Sequence, residues 1–147
     1  MMSLNVTIKF KKPKMVNYNE THAACGSTIM LCANGETFEA KEWRANVTHN
    51  MGDMAKHIPV CVKYRKKIFG GKLYDYVWRP DENGNPSTSP MRKILVNVIA
   101  YMLNNRNVLL AYNPSNGWGS YDSFLQWLIS YKEACEDNPG RKISVDR

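Results

Sequence analysis

The run Trp43-Arg44-Ala45-Asn46-Val47-Thr48-His49-Asn50 places guanidinium, amide, hydroxyl and imidazole groups side by side. It passes from an alternating, strand-like pattern into a helix start. Free backbone N–H groups and the helix dipole at such a start can hold a phosphate or carboxylate. The plainer reading is that Thr48 or Asn50 only caps the helix and His49 bonds locally. Two further tryptophans also stand at element junctions, in Trp78-Arg79-Pro80 and in Asn116-Gly117-Trp118-Gly119-Ser120-Tyr121. Brought together, the three junctions would line one concave site, with Arg44 and Arg79 as phosphate clamps. Kept apart, each tryptophan would plug one end of the core. The expected ligand-binding set is therefore Arg44, Asn46, Thr48, His49, Asn50, Trp78, Arg79, Asn116 and Trp118. General acid or base work by His49 would need a nucleophile or metal within reach, and no Ser or Cys nucleophile motif accompanies it. The sequence thus points to binding rather than catalysis, with His49 the catalytic residue only under the enzyme alternative.

A second constellation is cationic and aromatic. With Gly70-Gly71 as a two-residue turn, Val60 to Phe69 and Lys72 to Trp78 would form a hairpin. One face would then carry Lys63, Arg65 and Lys67 beside Tyr74, Tyr76 and Trp78. Charge to hold phosphates and rings to stack bases make a nucleic-acid platform. The alternative is a solvated edge hairpin whose lysines prevent sheet aggregation.

The cysteines Cys25, Cys32, Cys61 and Cys135 lack the close pairing of a zinc ribbon or disulfide framework. Cys135 falls on a core position of a helical pattern. A zinc site from His22, Cys25 and Cys32, joined by His57 or Cys61, is the sharper alternative, without standard ligand spacing. No metal and no cofactor is expected.

The elements that must position these residues follow from periodicity. Leu4, Val6, Ile8 and Phe10 alternate with polar residues as a half-buried strand, which Lys11 to Lys14 should end. Asn34-Gly35 signals a hairpin between Thr28 to Cys32 and Thr37 to Trp43. Met51, Met54, Ala55 and Ile58 give a short helix stopped by Pro59. Two long helices are predicted, at 90–106 and 120–137. The first carries Met91, Ile94, Leu95, Val98 and Met102 on one face, and the second is capped by Ser120 and ended by Asn138-Pro139-Gly140. Ile143 and Val145 form a last strand. The fold class is α+β: a small antiparallel sheet with hairpins, packed against two main helices. Residues 1–27 form a basic amino-terminal strand or arm and 28–147 a single domain.

Composition bounds the rest. The chain of 147 residues, 44% apolar and 22% charged, can bury a core, which excludes a wholly disordered or collagen-like protein. Twenty Lys+Arg against thirteen Asp+Glu give +7, a balance that favours an acidic partner. No secretory signal or membrane-spanning run is visible, so the expected location is the cytoplasm, with no membrane partner. The three Asn-x-Thr matches are then chance products.

The motif order resembles a family of uncharacterised small proteins of bacteria and tailed phages. The matching residues are Asn46 to Asn50, Met54-Ala55, Tyr74 to Pro80, Asn113 to Tyr121 and Ser144 to Arg147, within roughly residues 28–147. The resemblance implies no activity. The basic arm and the stretch Cys61 to Gly71 depart from the pattern, so the cationic platform is not carried by it. Together these readings predict a non-enzymatic, phage-type accessory protein. It would bind a nucleotide signal or nucleic acid, for host takeover or counter-defence, in the host cytoplasm. The alternatives are a small hydrolase-like enzyme using His49, or an interaction module for an acidic host protein.

Overall fold

Strand β1 (Ser3–Val16) lies between β3 (Phe38–Thr48) and β6 (Ile143–Asp146), and β2 (Gly26–Thr28) completes an antiparallel sheet of order β2-β3-β1-β6. This is a computed structural model, and it describes residues 3–16, 26–28 and 38–147. The expected hairpin at Asn34-Gly35 lies outside the described residues. The fold is α+β. Alternation sets the faces of the sheet: Leu4, Val6 and Ile8 of β1 and Trp43, Ala45 and Val47 of β3 point into the core. They pair Leu4 with Val47, Val6 with Ala45 and Ile8 with Trp43. β1 does not stop at Lys11. It continues to Val16 through a register irregularity between Lys9 and Lys14, where Pro13, lacking an N–H for the ladder, is tolerated.

Of the two long helices, the second packs on the sheet and the first packs on the second. α3 (Thr88–Asn104) buries Met91, Ile94, Leu95, Val98 and Met102, and its Pro90 sits in the first turn, where the missing N–H has no helical partner to lose. After a short α4 (Arg106–Leu109), α5 (Tyr121–Asp137) starts at Ser120, whose hydroxyl accepts the Ser123 N–H at 3.2 Å. It buries Phe124, Leu128, Tyr131 and Cys135, and also Trp127. Among the described residues no single helix is long and apolar enough to cross a membrane.

The middle of the chain differs from the expected hairpin. Val62–Tyr64 (β4) pairs with Lys67–Phe69 (β5), matching Val62 with Phe69 and Tyr64 with Lys67, so the turn is Arg65-Lys66 and not Gly70-Gly71. Arg65 takes the left-handed conformation, φ 57°. Residues 72–78 are no strand: Leu73–Val77 is a helix, α2. The physical reason is a helix-start signal that outweighs alternation. Asp75 accepts the Lys72 N–H at 2.9 Å, and Leu73, Tyr76 and Val77 are buried at helical spacing.

The platform of Lys63, Arg65, Lys67, Tyr74 and Tyr76 is therefore dispersed. Tyr76 is buried and donates to the Gly70 carbonyl. The Arg65 guanidinium lies 5.4 Å from the Tyr64 ring, and the Lys67 ammonium 5.2 Å from the Phe69 ring. Lys63 is exposed on β4. These contacts match the solvated-hairpin alternative.

One feature of the core is polar and unsatisfied. Tyr131 stacks on Trp43, its ring meets Trp127 edge-on, and neither the Tyr131 hydroxyl nor the Trp127 indole N–H has a hydrogen-bond partner among the described residues. Burial raises the Tyr131 phenol well above its ordinary range. An unsatisfied buried hydroxyl costs about 1–3 kcal/mol. Tyr131→Phe keeps the ring and removes that group, so it is expected to raise stability by about 1 kcal/mol in a urea titration. A loss of stability would mean that the hydroxyl has a partner in solution.

Candidate functional site

The chain leaves β3 at Thr48, whose hydroxyl accepts the Asn50 N–H at 3.3 Å and starts a 3-10 turn, His49–Met51. α1 (Gly52–Ala55) follows directly. Met51, Met54, Ala55 and Ile58 anchor this stretch in the core, which turns His49, Asn50, Asp53 and Lys56 toward one cavity. α2 supplies the facing wall with Tyr74 and Trp78, and the chain then turns through Arg79. The cavity holds about 480 Å³ and is lined by His49, Asn50, Gly52, Asp53, Lys56, Tyr74, Trp78, Arg79 and Arg147.

The inner wall is rigid. Tyr74 and Trp78 stack with centroids 5.4 Å apart and planes 9° from parallel, and Trp78 leans on Phe124 of α5. The Trp78 indole N–H donates to His49 Nδ1 at 2.9 Å. An indole only donates, so Nδ1 is the unprotonated nitrogen of His49 and Nε2 carries the proton. The lone pair is engaged, and the imidazole presents an N–H donor. This is chemistry for holding an acceptor, not for abstracting a proton.

The rim is built from cations held in place. Arg147 donates from Nη1 to the Trp78 carbonyl at 3.0 Å and grips Asp81 through both guanidinium nitrogens, at 2.7 and 3.3 Å. Arg79 pairs with Glu82 at 3.0 Å, and its hydrogen bonds to Tyr74 and Glu82 hold its pKa above the usual value. The Lys56 ammonium stands 4.7 Å from the centre of the Tyr74 ring and has no carboxylate partner among the described ion pairs. The lining thus carries three cationic side chains, Lys56, Arg79 and Arg147, against one carboxylate, Asp53.

The Asp81–Arg147 pair makes the site sensitive to acid. The guanidinium holds the Asp81 carboxyl below its ordinary value. A carboxylate lowered on folding contributes stability above its unfolded pKa, and that contribution is lost as pH falls through the folded value. Asp81→Asn is therefore expected to destabilise the protein at pH 6, and the gap from wild type should close below about pH 4. Paired urea titrations at pH 6 and pH 3 read this. A gap that persists unchanged at pH 3 would exclude the ion pair as its origin.

Of the nine residues expected to bind ligand, the fold brings His49, Asn50, Trp78 and Arg79 into one lining. Trp118 stands beside it, because the Asn50 side-chain amide donates to its carbonyl at 3.5 Å. Asn116 supports the loop by accepting the Trp118 N–H at 2.9 Å. Thr48 is buried as the cap. Asn46 alternates outward between buried Ala45 and Val47 and does not line the cavity. Arg44 is exposed on the same outer face, paired with Glu42 at 3.0 Å, so it is no clamp for this cavity. Tyr74, expected on the platform, lines the cavity instead.

Sequence reasoning did not assign Lys56, Asp53 or Arg147 to the site. Lys56 and Asp53 carry a helix-face signal, since they stand three residues apart on the α1 stretch with His49 and Asn50 one turn before. Arg147 carries only its place in the Ser144 to Arg147 motif match, because its contact with Asp81 joins residues 66 apart in sequence. Among the described residues no group of three or more His, Cys, Asp or Glu side chains could hold a metal. His57 donates from Nδ1 to the Asp53 carbonyl at 2.8 Å and stacks on Tyr112, and Cys61 is exposed. His22, Cys25 and Cys32 lie outside the described residues. Compared with family models, curated proteins and solved structures, the chain gives no match.

Proposed function

We propose that this chain is a non-catalytic binding protein for a small phosphorylated ligand, held in the cavity between α1, α2 and Arg147. The observation that carries the reading is the donor set of the lining, about 480 Å³ in volume: the His49 N–H, Arg79 and Arg147 held in place by Glu82 and Asp81, and Lys56, which has no carboxylate partner among the described ion pairs. Charged donors bind phosphate oxygens more strongly than neutral ones, and the chain's +7 adds attraction at longer range. A volume of about 480 Å³ suits a nucleotide-sized ligand, whereas a nucleic-acid strand needs a track of contacts along its backbone. A phage-type accessory protein that sequesters a nucleotide signal is the role this reading proposes.

Calorimetry of the full chain against inorganic phosphate and AMP at two salt concentrations tests the reading. Binding that weakens with salt is expected, and Lys56→Ala should weaken it about tenfold, the scale of one charged hydrogen bond. Absence of heat with both ligands, or binding indifferent to salt and to Lys56, would overturn it. Nuclease-sensitive capture of cellular nucleic acid with no cavity dependence would transfer the function to another surface.

A further inference from the structure

Trp118 has no evident reason to be a tryptophan in the fold. Three of the chain's four tryptophans are at most 7% exposed, and each stacks or packs on another ring, whereas Trp118 is 50% exposed and makes no ring contact among the described residues. It is nonetheless held in place. Gly117 and Gly119 on either side take positive φ, 79° and 106°, which a side chain would resist. Asn116 accepts its N–H at 2.9 Å, and Tyr121 fixes the loop's base by donating its N–H to Asn113 Oδ1 at 2.7 Å. Its carbonyl is tied to Asn50, which lines the cavity.

The cavity itself offers no free aromatic face. Trp78 is 2% exposed, and Tyr74 is covered by Trp78 on one side and by the Lys56 ammonium over its ring. The anion-binding groups and the exposed ring are therefore separate but adjacent. A ligand whose phosphate sat among Lys56, Arg79 and Arg147 would have the Trp118 loop beside it, across Asn50.

We infer that the ligand is a nucleoside phosphate whose base stacks on Trp118, which makes Trp118 the specificity-determining residue of the site. The inference rests on the phosphate reading above and adds the class of ligand. Every base has a π face, and stacking on an exposed ring discriminates a nucleotide from a plain sugar phosphate.

The test titrates the full chain with AMP and with ribose 5-phosphate by calorimetry, and follows tryptophan fluorescence in parallel. Trp78 also lines the cavity, so the part of the emission change that Trp118→Ala abolishes is the part that reports on Trp118. AMP should bind about tenfold more tightly than ribose 5-phosphate and quench emission, and Trp118→Ala should erase the difference between the two. Trp118 is exposed, so circular dichroism should show the variant folded as wild type. Equal affinities for the two ligands, with Trp118→Ala leaving both as they were, would overturn the inference while the phosphate cavity stands. No binding of either ligand would overturn the cavity reading and this inference with it.

Discussion

Replacing Trp78 with alanine is expected to lower the unfolding free energy by about 3–5 kcal/mol, the usual range for removing a large buried aromatic. Trp78 is 2% exposed, stacks on Tyr74 and leans on Phe124, so it ties the α2 wall to α5. Its loss leaves a void between the two elements and strips His49 Nδ1 of its donor. Urea unfolding followed by far-UV circular dichroism measures the effect without relying on the lost fluorophore. Trp78→Phe separates the two contributions: it keeps most of the packing and removes the N–H, and should cost clearly less. If Trp78→Ala lost under about 1 kcal/mol, the wall would not be the packed structure described.

The second large effect concerns the rim. Arg147→Ala removes a lining cation and also the group that joins the Trp78 carbonyl to Asp81. Loss of a charged hydrogen bond alone weakens binding about tenfold. Freeing the Trp78 to Asp81 turn, which also carries Arg79, adds a positioning loss, so phosphate or AMP affinity should fall by roughly 10- to 100-fold. Arg147→Lys keeps the charge but lacks the planar fork that reaches a carboxylate and a carbonyl together. If charge dominates, the lysine variant binds nearly as wild type. If positioning dominates, it behaves like alanine and loses the acid sensitivity of the Asp81 pair as well. Wild-type affinity in both variants would remove Arg147 from the site.

Much of the architecture was legible in the residues because it rests on local signals. The apolar stripe from Met91 to Met102 and the Ser120 cap define α3 and α5 almost to their ends, and the alternation at Leu4 to Ile8 and at Ile143 and Val145 defines two strands that pair with each other. Residues 72–78 misled because Leu73 and Val77 on one parity and Tyr74, Tyr76 and Trp78 on the other also fit a strand. The deciding contact, Asp75 on the Lys72 N–H, depends on which backbone conformation is already present.

The types of group at the site were also readable, since His49, Asn50, Trp78, Arg79 and Trp118 sit at junctions marked by caps, prolines and glycines. Their company was not. Whether Arg44 or Arg147 stands beside Arg79 depends on the parity of β3, which turns Arg44 to the outer face of the sheet, and on the return of β6 along β1, which brings Arg147 to Asp81. The sequence by itself determined the donors, the rings and the helices. Tertiary structure decided that Lys56 and Arg147 replace Arg44 around the cavity, and that one tryptophan closes the wall while another is left open at its edge. Charge and hydrogen-bonding capacity belong to a residue, but convergence belongs to strand register and to contacts far apart in the chain.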